Sequence, residues 1–238
     1  MNTKFLSALT ATAAATALFG AAAPAHAFSF GTDAIQFQEK TEVTFNFRQT
    51  YGAFTSTLAV YGVNGGTPTF LQELFKEVKP SDSGENNNWK GTLGNTVLGS
   101  GIATYTFLAN QIYTLGLKSV GLDGSDQGTV FTTSALNTGG TQQAVFFSPN
   151  GLLPTVINAA DAEAFADNPA NFTSGNSLFN EGTAISFDDR GNGGDADFQD
   201  FTLTASAVPE PMTMTGLALG LGGLVAARRR RRGSKTAS

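Results

Sequence analysis

Apolar and polar residues alternate over short stretches along most of this chain, and the alternation is that of half-buried strands. Residues 42–48 place Val43, Phe45 and Phe47 on one face, and residues 57–61 read as the next strand. Residues 103–108 and 112–117 follow the same rule, with Ala109-Asn110-Gln111 between them, a spacer short enough for a hairpin. Further strands are expected at 143–147, 183–187 and 201–205. Two stretches break the period. Phe70, Leu71, Leu74, Phe75 and Val78 recur at helical spacing and stop before Pro80, and residues 158–167 are Ala-rich behind an Asn/Asp start, so each predicts a short helix. The expected body is an all-β, antiparallel, jelly-roll-like β-sandwich with one or two short helices.

Both ends depart from this texture. Lys4 precedes an Ala/Leu/Phe/Thr run over residues 5–23, and Ala25-His26-Ala27 follows it. A basic start, an apolar stretch and a small-x-small site predict a secretory signal peptide over residues 1–27, read at Ala25 and Ala27. At the other end, Pro209-Glu210-Pro211 precedes an apolar segment at 212–227 and five consecutive arginines, Arg228 to Arg232. Such a segment makes about 24 Å of helix, a thin membrane span, and the arginines hold its cytoplasmic side. The body, residues 28–207, then lies outside the inner membrane, and residues 208–238 form the tail.

Motif, apolar span and basic block in this order resemble the PEP-CTERM sorting signal of Gram-negative exoproteins, in a form similar to cyanobacterial ones. The resemblance covers residues 208–232. It implies a partner, the membrane protease-transpeptidase exosortase, that recognises Pro209, Glu210 and Pro211 and removes the anchor. An ordinary tail anchor behind a Pro-rich stalk would carry the same apolar and basic pieces.

Removing both ends changes the electrostatics. The whole chain carries a formal charge of −5, but the body keeps only seven basic residues against 18 acidic ones, a net −11. No clustered basic surface is left for nucleic acid. The chain has no Cys, and its one His, His26, falls in the expected leader. Imidazole- and thiol-based catalysis, a Cys/His zinc site and disulfides are thereby excluded from the body. Carboxylate, amide and backbone oxygen remain as its chemistry.

Asp188, Asp189, Asp195, Asp197 and Asp200 crowd into thirteen positions around a Gly/Asn-rich middle. Like charges that close repel unless water screens them or a cation bridges them. Calcium takes six to eight hard oxygens, commonly from loops that glycine lets turn sharply. Asp195 and Asp197 share one side of an extended segment and Asp200 has the opposite parity, so convergence needs a bulge or turn near Phe198. The spacing is not that of an EF-hand. A polar turn, with Asp and Asn bonding their own backbone, is the other reading of the same residues.

The pattern over residues 187–201, Phe-acid-Asp, a Gly-rich gap, then Asp-x-Asp-Phe-x-Asp-Phe, resembles the C-terminal signature of the domain-of-unknown-function family numbered 4114. Residues 144–151 are similar to that family's aromatic-Ser and Asn-x-Gly region, and the likeness spans about residues 140–205. Asp188 stands where the family has Glu and Gln199 where it has Asn, so the shorter Asp188 is the position the resemblance supports least.

The expectation from sequence is a non-enzymatic, calcium-stabilised component of an extracellular polysaccharide matrix or cell surface. A carbohydrate-binding module is the alternative, for which Trp89, in the Asn-rich stretch 85–90, would offer an aromatic platform unless it packs at the core edge. A glycoside hydrolase with two carboxylates about 5–9.5 Å apart across a cleft is a third reading.

Overall fold

The computed structural model describes residues 28–83, 90–149, 169–189 and 198–208. Residues 1–27, expected as a signal peptide, and Trp89, the Ala-rich stretch at 158–167, Asp195, Asp197 and the tail from Pro209 onward lie outside the described residues.

Among the described residues, eleven strands build two antiparallel sheets. One contains β1 (Phe28–Phe30), β2 (Ile35–Phe37), β7 (Tyr113–Val120), β4 (Thr55–Asn64) and β5 (Thr67–Lys76) in that order, with β8 (Asp126–Phe131) also on β7. The other runs β6 (Ile102–Phe107), β3 (Thr41–Thr50), β11 (Phe201–Ala207), β10 (Thr183–Phe187), β9 (Ala144–Phe147). Alternation explains the arrangement. Val43, Phe45 and Phe47 of β3, with Leu203 of neighbouring β11, face Leu58 and Val60 of β4 and Leu115 and Leu117 of β7 in one apolar cluster between the sheets. Phenylalanine fills it. Phe107 sits 5.3 Å from Phe37 and 6.4 Å from Phe45, ring centre to ring centre, and Phe47 reaches Phe75 of the facing sheet at 6.0 Å.

The strands expected around residues 42–48, 57–61, 143–147, 183–187 and 201–205 are present, most of them longer than the sequence pattern suggested. Instead of the helix expected over residues 70–78, the chain runs as far as Lys76 as strand β5. Its pairing with β4 jumps from Leu58↔Phe75 to Ala59↔Glu73 and from Val60↔Gln72 to Tyr61↔Phe70. Leu74 and Leu71 are thus extra residues at two bulges, and each bulge resets the side-chain parity. Two resets in one strand imitate helical spacing. The five apolar residues also share no buried face: Leu74 and Phe75 are buried, whereas Phe70, Leu71 and Val78 are exposed. Among the described residues only three single-turn 3-10 segments occur, at Ser134–Leu136, Thr138–Gly140 and Pro169–Asn171.

The hairpin expected between 103–108 and 112–117 is also corrected. β6 pairs with β3 and β7 with β4, so the spacer crosses from one sheet to the other. Both strands point apolar rings inward from opposite sides, and Phe107 meets Tyr113 edge-on at 5.0 Å. Asn110 turns the chain at a φ of 59°, a conformation asparagine tolerates, and the Leu108 amide donates to the Tyr113 hydroxyl. Burying two aromatic faces against each other outweighs the local chance to pair.

Candidate metal centre

Three of the five aspartates singled out in the sequence converge at one end of the β3-β11-β10-β9 sheet. Asp188 and Asp189 directly follow β10, and Asp200 directly precedes β11. The β10–β11 pairing, Phe187↔Phe201, therefore brings the two ends of the segment 188–200 side by side. Their carboxylate oxygens, one from each residue, lie within 4.8 Å of one another. Asp188 is 2 % and Asp189 5 % exposed, and Asp200 is half-buried.

Backbone hydrogen bonds fix the geometry. The Asp189 amide donates to Asp200 Oδ2 at 2.8 Å, the Asp200 amide to the Phe187 carbonyl at 3.0 Å, and the Tyr51 amide to the Asp200 carbonyl at 3.2 Å. The chain turns just before Asp200: Phe198 has a φ of 47°, in the left-handed region that costs a bulky residue roughly 1 kcal/mol. Its ring is 1 % exposed and packs with Val145, Phe147, Ala184 and Phe172 in a second apolar cluster. Burial of that ring holds a turn at Phe198, and Asp195 and Asp197, whose convergence with Asp200 the parity argument concerned, lie outside the described residues.

The surroundings suit a hard cation. Gly52, just past β3, approaches so closely that a Cβ there would lie 2.7 Å from Asp189 Oδ2 and 3.3 Å from Asp200 Oδ1. Only glycine leaves that wall open. The neighbouring donors are oxygen as well. Gln143 precedes β9 opposite Asp188, and its buried Oε1 has no hydrogen-bond partner among the described residues. A buried carbonyl left so costs about 1–3 kcal/mol. The set Asp188, Asp189 and Asp200 is all carboxylate, which is calcium and magnesium chemistry and not that of zinc or copper.

A fourth acid enters from the facing sheet. Glu77, immediately after β5, is 2 % exposed, and its Oε2 accepts from the Ser56 amide at 2.7 Å while Oε1 meets no donor among the described residues. Burial pushes its carboxyl up to about 8, and the negative Asp189 adds to the rise against the opposing Thr50 and Ser56 contacts. Thr50 Oγ1 lies near this carboxyl without reaching hydrogen-bond geometry. Glu77 is more than a hundred residues from the aspartates and sits in a charged stretch, Lys76-Glu77-Val78-Lys79, that reads as solvated. Gly52 and Gln143 carry no sequence signal of their own either; only the sheet ends bring them to the site.

Fold and site together define a mostly antiparallel, two-sheet β protein with an oxygen-only acidic cluster at one sheet end. Comparison with protein-family models, with curated proteins and with solved structures finds no match.

Proposed function

We propose that this chain is an exported, non-enzymatic cell-surface or extracellular protein whose jelly-roll-like β-sandwich is stabilised by calcium. In this reading residues 1–27 direct export, and residues 212–227 anchor the chain transiently in the inner membrane. Exosortase then acts at Pro209-Glu210-Pro211 and frees the body into the extracellular polysaccharide matrix as a structural or adhesion component. The convergence of Asp188, Asp189 and Asp200 within 4.8 Å carries the calcium part. Their gathering at one sheet end, with Asp188 and Asp189 buried, favours holding an ion over cleaving a sugar. Asp195 and Asp197 would join from the Gly-rich segment. A bound cation would relieve the mutual repulsion of buried carboxylates.

The test is thermal melting of the protein with and without calcium. At a calcium concentration a hundred times Kd, binding adds about 2.7 kcal/mol, and the gain should vanish in Asp189→Asn combined with Asp200→Asn. Identical melting temperatures with calcium and with chelator in the unmodified protein would sink the calcium reading.

One observation favours carbohydrate binding as a second activity of the same body. On the β7-β4-β5 sheet, Phe70 and Tyr61 stand edge to face at 5.9 Å, and Tyr61 meets Phe131 at 5.3 Å above Gly116. Phe70 is exposed and Tyr61 half-buried, while Phe131 is buried beneath them, so Phe70 and Tyr61 offer an aromatic surface for a sugar ring. Retention of Tyr61→Ala and Phe70→Ala on polysaccharide columns as long as the unmodified protein would remove this reading.

A further inference from the structure

Building on the calcium reading of the aspartate cluster, we infer that Gln143 is the neutral ligand of that site, its side-chain carbonyl completing the oxygen set begun by Asp188, Asp189 and Asp200. The strand register puts it there. β9 and β10 pair with Ala144 opposite Phe187, and one step further the Asp188 amide donates to the Gln143 carbonyl at 3.1 Å. Gln143 and Asp188 are thus directly opposed, and opposed residues of an antiparallel pair send their side chains to the same face with Cβ atoms about 5 Å apart. The amide is oriented as well. Gln143 Nε2 donates to Thr141 Oγ1 at 3.2 Å, which turns Oε1 the other way. That oxygen belongs to a side chain only 4 % exposed and receives no hydrogen bond among the described residues.

A buried carbonyl oxygen with no donor, beside three converging carboxylates, has the chemistry of a cation ligand. Calcium sites combine carboxylates with amide and backbone carbonyls because a neutral oxygen raises the coordination number without adding like charge. Three carboxylates already repel one another here, so the next ligand is best neutral. An alkaline-earth ion is the class of ligand implied.

The experiment uses the full-length protein in mild detergent and terbium(III) as a luminescent stand-in for calcium. Luminescence lifetimes in H2O and D2O count the waters on the ion. The unmodified protein binds terbium that calcium displaces, and Asp189→Asn loses it. Gln143→Met gains about one bound water and binds at least 10-fold more weakly, because water replaces the lost ligand. Should Gln143→Met fail to fold, Gln143→Asn withdraws the carbonyl by one methylene and shows the same extra water, while Gln143→Glu keeps the original water number. If terbium binds the unmodified protein and not Asp189→Asn, yet Gln143→Met and Gln143→Asn keep the original water number and affinity, the assignment of Gln143 is overturned and the aspartate site stands. If the unmodified protein binds no terbium, both fall together.

Discussion

Glu77 gives the most quantitative check on the polar end of the sheets. Its carboxyl rises from an ordinary 4.5 to about 8, first because burial penalises the ionised form and then because Asp189 is negative. The folded protein therefore holds a proton on Glu77 that the unfolded chain has already lost over that interval. The associated stability is complete below pH 4.5, falls as pH rises, and is gone above pH 8. At about 1.4 kcal/mol per pKa unit, the ceiling on the loss is roughly 5 kcal/mol. Glu77→Gln replaces the carboxyl by a neutral group of the same shape that still accepts from Ser56. Urea unfolding in chelator at pH 5, 7 and 9 reads the difference. The variant should match the parent within about 1 kcal/mol at pH 5 and exceed it at pH 9 by several kcal/mol, up to that ceiling. Equal pH slopes for parent and variant would refute the argument, since every other titrating group is common to both.

Three shorter tests follow. Gly52→Ala drives a methyl to 2.7 Å from Asp189 Oδ2, so it should cost about 1–3 kcal/mol in urea unfolding and weaken the calcium-dependent rise in Tm; a fully retained rise would mean that Gly52 does not border the site. Phe107→Ala removes a fully buried ring that touches Phe37, Phe45, Tyr105 and Tyr113, and should lower stability by about 3–5 kcal/mol and Tm by roughly 10 °C in calorimetry. If the tail is processed as proposed, mass spectrometry of exported protein should find a C-terminus near Pro209, and peptides beyond Arg228 recovered outside the cell would contradict it.

Much of the β architecture could be read from the chain because a strand's period of two is a local property. Val43, Phe45 and Phe47 had to share a face whatever they paired with, and they line the core. The same locality made Phe70 to Val78 misleading. The two bulges that turn a period of two into apparent helical spacing exist only in the partnership of β5 with β4. Likewise, nothing in Ala109-Asn110-Gln111 reveals that the strands on either side belong to different sheets; the competition between pairing and burying Phe107 against Tyr113 decides that.

The aspartates show the same division. Sequence alone marks Asp188, Asp189, Asp195, Asp197 and Asp200 as a concentration of carboxylates near glycine, and it demands a turn near Phe198 before Asp200 can meet Asp195 and Asp197. It also removes histidine and cysteine from the body, which restricts the chemistry to oxygen. Tertiary structure decided which oxygens meet. Phe198 anchors the turn by burying its ring in the second apolar cluster. The β9–β10 register sets Gln143 against Asp188, and the close pass of Gly52 leaves room beside Asp189. The facing sheet contributes Glu77, whose burial alone gives it an unusual proton affinity. These relations join residues up to about 150 positions apart. They arise from packing two sheets on one core, a cooperative outcome that no local pattern encodes.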